Sequence, residues 1–191
     1  MNDNPIQIIQ YYFEKSRQIG LRYHNVAVLS TCLNNKPNSR CVLIKEINEK
    51  GLVFYTNYKS KKGREIHKNP FVALVFFWEK LGIQIRIRGT AEKIPAEEST
   101  KYFKSRPKES QISAYISKQS QKLDSYQKLE EMFKVYVEKF KDKDVDRPPH
   151  WGGLIIKPQE IEIWEEKPFR LHKRILFYKK KDKWYKCFLY P

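Results

Sequence analysis

Short runs of β-branched and aromatic residues recur along the chain, each closed by a turn signal, and this punctuation constrains the fold more than any other feature. Val26 to Thr31, Arg40 to Ile47 and Leu52 to Thr56 are separated by Asn34-Asn35-Lys36-Pro37 and by Asn48-Glu49-Lys50-Gly51, the pattern of an antiparallel meander. Phe71 to Trp78 and the alternating Ile83, Ile85 and Ile87 predict two further strands. Leu154 to Ile156, Ile161 to Trp164, Ile175 to Tyr178 and Trp184 to Phe188 predict four more, the last two around a Lys-rich turn. Helical periodicity appears over residues 5–18, 60–68 with Ser60 as N-cap, 96–103 and about 125–140. The whole reads as an α+β chain, a mainly antiparallel β-barrel with peripheral helices. Its 191 residues are enough for one cored domain, 1–191, without forcing a second.

Other features narrow the function. Cys32, Cys41 and Cys187 are odd in number and form no C-x-x-C pair, and His24, His67, His150 and His172 are scattered, so neither a disulfide framework nor a metal centre is indicated. The N-terminus lacks a basic stretch followed by an apolar run, and no window resembles a spanning helix; the expectation is a soluble, unprocessed, cytoplasmic protein. No two of the 7 glycines are separated by a single residue and no G-K-[ST] occurs, which removes the dinucleotide fingerprint and the P-loop. Yet the net charge is +16, an invitation to anions. A phosphorylated ligand here must be held by side-chain cations and hydroxyls.

Two places offer such groups. Arg40 and Lys45 lie on one strand but on opposite faces, so they can serve different ligands. Ser60-Lys61-Lys62 opens a helix just after Phe54-Tyr55-Thr56-Asn57 ends a strand, which reads either as a phosphate site or as a solvated basic loop. Tyr102 and Arg106, four apart, can meet one phosphate from a single helical face, or form a surface pair. Arg170 and His172 alternate around Leu171 and so face one side of an extended segment.

R-C-V-L-I-K at 40–45, F-Y-T-N at 54–57, S-K-K at 60–62, Y-F-K-S-R-P-K-E-S-Q-I at 102–112, S-K-Q-S at 117–120, W-G-G at 151–153 and R-L-H-K-R at 170–174 are ordered motifs. Together they resemble the pyridoxine/pyridoxamine 5′-phosphate oxidase family, from about residue 5 to the C-terminus. The resemblance implies an FMN-dependent split β-barrel homodimer with FMN at the subunit interface. It further implies oxidation of the 4′ carbon of pyridoxine or pyridoxamine phosphate to pyridoxal 5′-phosphate, with oxygen becoming hydrogen peroxide. By motif, Arg40, Tyr55, Thr56, Lys61 and Lys62 would hold FMN, with Gln84, Gln119, Ser120, Trp164 and Arg174 as remaining flavin contacts, some from the second subunit. Lys45, Tyr102, Arg106 and Ser110 would grip the substrate phosphate, Lys45 lying in both the flavin and the substrate motif. Arg170 and His172 match the pair covering the pyridine ring, and are the candidate catalytic residues in a positioning and electrostatic role.

Departures from the pattern accompany the match. Lys61 stands where the family has Arg, trading a bidentate fork for a point charge. Arg22-Tyr23-His24-Asn25-Val26 replaces an Asp-Pro-x-Ala-Met pattern, the C-terminal Arg-Leu-x-Pro reads Phe188-Leu189-Tyr190-Pro191, and the chain begins close to its first helix, leaving little of the N-terminal extension many relatives carry. These changes motivate an alternative: a flavoprotein of this fold with another substrate, or a pyridoxal-phosphate carrier. A nucleic-acid module, suggested by the charge and by aromatics among lysines in residues 177–184, has no recognised motif, so neither nucleic acid nor membrane is expected as a partner.

Overall fold

In the computed structural model, which describes residues 4–191, the chain opens on helix α1 (Pro5–Gln18). The Asn4 side chain accepts a hydrogen bond from the Ile6 amide, Pro5 fills the first turn, where its missing N–H is no loss, and Ile6 and Ile9 are buried. Strands β1 (Val26–Leu33) and β2 (Lys36–Asn48) form a hairpin across Asn34-Asn35. Both asparagines have positive φ (50° and 59°), which a tight hairpin turn requires and this residue tolerates. β3 (Gly51–Asn57) pairs with β2, α2 (Lys61–Lys68) follows, and β4 (Phe71–Trp78) pairs with β5 (Ile83–Lys93). Helices α3 (Ala96–Lys104), α4 (Lys108–Ile116) and α5 (Tyr126–Lys139) then lead to β6 (Trp151–Glu165), β7 (Lys173–Lys180) and β8 (Lys183–Leu189).

The strands are ordered β3-β2-β1-β4-β5-β6-β7-β8, and β6 also pairs with β3, which closes an antiparallel barrel from β1 to β6 and leaves β7 and β8 as an extension. β6 reaches both neighbours because it is long: 151–156 pair with β3, while 154–165 pair with β5. Alternation sends Leu29, Ile44, Phe54, Leu74, Phe76, Ile85, Ile87, Ile156 and Ile161 inward, each with at most 1% exposure. Burying a side chain of this size is worth about 1.5–3 kcal/mol, so the barrel interior is the main source of stability. Among the described residues no helix is long and apolar enough to cross a membrane.

Three local expectations change. The separate strands predicted at 154–156 and 161–164 are one strand, β6. Pro158, which donates no hydrogen bond, is accommodated where the pairing slips between Arg88 and Gly89. A side chain at Gly89 would overlap the Lys157 carbonyl, so glycine permits this approach. α4 has no counterpart in the sequence reading because it buries little beyond Ile112 and carries no strong apolar stripe. Finally, α3 ends at Lys104, so Arg106 sits in the turn between α3 and α4, its N–H bonded to the Phe103 carbonyl at 3.2 Å, and not on a helical face with Tyr102.

The Lys-rich segment after β7 is a hairpin turning at Lys181-Asp182, both with positive φ. Its lysines pair with its own aromatics: Lys179 lies 5.1 Å from the Trp184 ring and Lys180 lies 5.3 Å from that of Tyr178.

Candidate active site

A cavity of about 520 Å³ opens between β2, β3, α2 and the α3–α4 turn. It brings together Lys45, Tyr55, Thr56, Lys62, Tyr102, Arg106, Ser110 and Gln119, residues far apart in the chain. Lys62 is delivered by the first turn of α2, which Ser60 caps by accepting from the Gly63 amide at 3.3 Å. Gly63 has no side chain because the Tyr58 backbone lies against it. The Lys62 ammonium donates to Thr56 Oγ1 (3.2 Å) and Gln119 Oε1 (3.3 Å), and the Thr56 hydroxyl itself donates to Gln119 (3.3 Å). Asn57 Nδ2, donating to the Ser117 carbonyl at 3.1 Å, ties down the loop that carries Gln119 and Ser120, the latter at φ 71°.

Among the described residues Lys62 hydrogen-bonds only to neutral oxygens, and burial, followed by the nearby Arg40 charge, pushes its pKa down. A half-buried cation without a carboxylate in contact is poised for an anion. In the same lining, the Arg106 guanidinium lies 4.8 Å from the Trp151 ring and 5.9 Å from that of Phe103, and its Nη1 is buried without a hydrogen-bond partner among the described residues. Burial lowers its pKa as well. An orphaned guanidinium nitrogen in a cavity wall costs free energy unless a ligand completes it. Gln111 braces the turn by donating to the Arg106 carbonyl at 2.8 Å. Tyr55 stacks on Tyr102 (3.8 Å between ring centroids) and on Trp151 (5.5 Å); burial, with the Glu46 charge next, pushes its phenol up to about 12, so it acts as a neutral hydroxyl. The donor set therefore suits phosphate esters beside flat rings, which is the chemistry of FMN and of a pyridine phosphate.

Other predicted residues stand elsewhere. Arg40 faces away from Lys45, as alternation requires, and is engaged within the protein: its guanidinium donates to Thr31 Oγ1 (2.7 Å), the Leu29 carbonyl (3.2 Å) and Glu65 Oε2 (3.1 Å). Lys61 is exposed on α2 and does not line the cavity. Gln84, Trp164 and Arg174 form a cross-strand row over β5, β6 and β7, Gln84 opposite Trp164 and Trp164 opposite Arg174. Glu162 anchors this row, accepting from Arg174 Nε (2.8 Å) and Arg86 (2.9 Å). His172 packs on Trp164 (4.6 Å between centroids) and accepts from the Lys167 amide at 3.2 Å. Arg170 is exposed in the tight turn before β7, where it and Phe169 both have positive φ. None of these five lines the cavity of the same chain. A more apolar cavity of about 360 Å³ under α1, walled by Ile8, Tyr12 and Ile175, contains none of the predicted residues.

Trp151, Asn57, Glu65 and Glu162 had no role in the sequence reading, although Asn57 and Trp151 fall inside its F-Y-T-N and W-G-G motifs. Their tasks, stacking and tethering, depend on partners distant in sequence.

Known proteins supply the decisive comparison. Residues 13–164 match the family model described as pyridoxamine 5′-phosphate oxidase, and residues 151–191 match the pyridoxine 5′-phosphate oxidase C-terminal dimerisation region. The chain belongs to the pyridoxine/pyridoxamine 5′-phosphate oxidase family. It is 43% identical over 188 residues to the pyridoxine/pyridoxamine 5′-phosphate oxidase of Actinobacillus pleuropneumoniae, covering 98% of this chain and 90% of that one. Against the protein of the same name from Gloeothece citriformis it is 41% identical over 177 residues, with 92% and 83% covered. The fold of PhzG from Burkholderia lata superposes with a TM-score of 0.94 at 24% identity, covering all of this chain and 94% of the other.

Within this oxidase family the C-terminal match indicates a homodimer, and it contains Trp164, Arg170, His172 and Arg174. The C-terminal departure has a structural consequence: Phe188 is exposed, while the Tyr190 carbonyl accepts from Arg174 Nη1 at 2.9 Å.

Proposed function

We propose that the protein, acting in the cytoplasm as one domain over residues 1–191, binds FMN and oxidises pyridoxine or pyridoxamine 5′-phosphate at the 4′ carbon to pyridoxal 5′-phosphate, oxygen being reduced to hydrogen peroxide and, for the amine, water being consumed and the nitrogen leaving as ammonia. The enzyme class follows from near full-length relatives at about 40% identity. The single observation that carries the site assignment is the cavity where Lys45, Lys62 and Arg106 meet with an unpaired guanidinium nitrogen. When bound, FMN supplies the acceptor for the hydride that leaves the 4′ carbon and passes the electrons on to oxygen.

The chain's own residues bind and align. Lys62, Thr56 and Gln119 form one polar cluster, suited to the FMN phosphate, with Arg40 and Lys61 adding positive field. Lys45, Tyr102, Arg106 and Ser110 form the grip for the substrate phosphate, combining a point charge, a phenol, a planar fork and a hydroxyl. Holding the phosphate fixes the ring at the far end of the same molecule, which turns a bimolecular encounter into an aligned one. Tyr55, stacked on Tyr102, adds a flat apolar wall to the cavity.

Gln84, Trp164, Arg170, His172 and Arg174 act from the second subunit in this reading. The match to a dimerisation region supports it. So does the face that carries the row: Phe77, opposite Gln84, and Leu43 and Val28 nearby in the sheet are exposed apolar residues suited to cover by another copy of this chain.

The test is turnover of two substrates under air. Pyridoxamine phosphate should yield pyridoxal phosphate and peroxide in equal amounts, whereas pyridoxamine, lacking the phosphate, should react far more slowly. Flavin-loaded protein that turns over neither phosphate ester overturns the oxidase reading.

A further inference from the structure

A carboxylate lies behind the groups assigned to the flavin phosphate, on the helix that carries Lys62 and paired with Arg40. Glu65 follows Lys62 by three residues on α2, and its side chain is 8% exposed. It accepts from Thr31 Oγ1 at 2.6 Å, Asn38 Nδ2 at 3.2 Å and the Arg40 guanidinium at 3.1 Å, while Arg40 donates to the same Thr31 hydroxyl at 2.7 Å. Burial alone would raise the carboxyl, but the hydrogen bonds from Thr31 and Asn38 and the Arg40 charge hold it below its ordinary value, so it stays ionised.

The arrangement is more than a structural ion pair, because Arg40 and Lys62 are close enough to repel and Glu65 offsets that repulsion. In the flavin-free protein it supplies Arg40 with the counter-charge that a phosphate would bring. Once a phosphate is present, the same negative charge opposes it.

Building on the FMN reading, we propose that Glu65 is a positioning and counter-charge residue that occupies Arg40 in the apoprotein and deliberately limits FMN affinity, by charge repulsion against the flavin phosphate. Glu65→Gln keeps an acceptor and a similar shape but removes the charge. It should tighten FMN binding about tenfold, the scale of one nearby charge at a partly screened site. Riboflavin, which lacks the phosphate, should bind wild type and variant alike; a merely structural role would change both ligands together.

The experiment is a fluorescence titration of wild-type and Glu65→Gln apoprotein with FMN and with riboflavin, alongside melting curves with and without FMN. Tighter FMN, unchanged riboflavin and a wider gap between loaded and unloaded melting temperatures are expected, since the variant leaves Arg40 buried without its counter-charge until phosphate arrives. FMN affinity equal to or weaker than wild type overturns the proposal. Should Glu65→Gln fail to fold, the double variant Arg40→Met/Glu65→Met removes both charges of the pair and so leaves neither partner buried and unmatched; it should hold FMN within about tenfold of wild type, and a larger loss overturns the proposal. Wild type that binds no FMN removes the flavin reading and this inference with it, whereas wild-type binding with no gain in the variant removes this inference alone.

Discussion

Replacing Arg106 with alanine should separate function from stability. In the free protein this guanidinium makes a cation–π contact with Trp151 at 4.8 Å, yet its Nη1 is buried and unbonded. The contact is worth about 0.5–2 kcal/mol, and an unmet buried donor costs about 1–3 kcal/mol, so the two nearly cancel. Arg106→Ala should therefore leave the melting temperature of the free protein nearly unchanged or slightly raised. With substrate bound, the Arg106 guanidinium, which lines the cavity, gains a charge-assisted bond to phosphate, worth about 1.5–3 kcal/mol, or roughly 10- to 150-fold in KM. Arg106→Lys keeps the charge without the fork and should fall between. The assay is steady-state oxidation of pyridoxamine phosphate with the unphosphorylated amine as comparator, plus thermal melting. The amine should show no KM penalty. An unchanged KM for the phosphate ester, or a melting temperature that falls by many degrees, would refute the assignment of Arg106 as an anion receptor.

Other consequences follow from the same geometry. Gly63→Ala introduces a methyl into the Tyr58 backbone, so despite alanine's better helix propensity it should destabilise by about 1–3 kcal/mol and weaken flavin retention, read by melting and by FMN titration. Lys62 binds phosphate only while protonated, and its pKa lies below the ordinary 10.5, so FMN affinity measured against pH should begin to fall at lower pH than an ordinary lysine would allow. Glu65 titrates below its ordinary 4.5; its contribution to stability is full above that value and is lost as pH falls through the lowered folded pKa. Acid melting of wild type should therefore show a loss at the acid end that Glu65→Gln lacks. Ser60→Ala removes the cap of α2 and should cost about 1 kcal/mol in stability.

Most of the fold was legible because its signals are local. Two-residue alternation in Ile83, Ile85 and Ile87, the turn at Asn34-Asn35 and the cap at Ser60 each report a backbone state from neighbouring residues. α4 was not, since a helix that buries only Ile112 writes almost no apolar period into its sequence. The union of 154–156 with 161–164 was hidden by Pro158, a breaker whose effect is absorbed by a slip in the partner strand β5. In the site, motifs located Thr56, Lys62 and Gln119, but spacing could not say that the three touch. Four-residue spacing misled for Tyr102 and Arg106, because α3 stops at Lys104 and the chain itself turns to bring Arg106 to the cavity wall. Glu65 escaped notice for a related reason: a carboxylate on a basic helix looks solvated until Thr31, Asn38 and Arg40 are seen around it.

The central claim, that one cavity aligns a phosphate ester for oxidation beside a bound flavin, is tested most directly by the absorbance of the purified protein without oxygen. Pyridoxamine phosphate should bleach the yellow flavin band, and readmitted air should restore it as pyridoxal phosphate accumulates. Protein that remains colourless after incubation with FMN, or a flavin band that the substrate leaves untouched, would contradict the account.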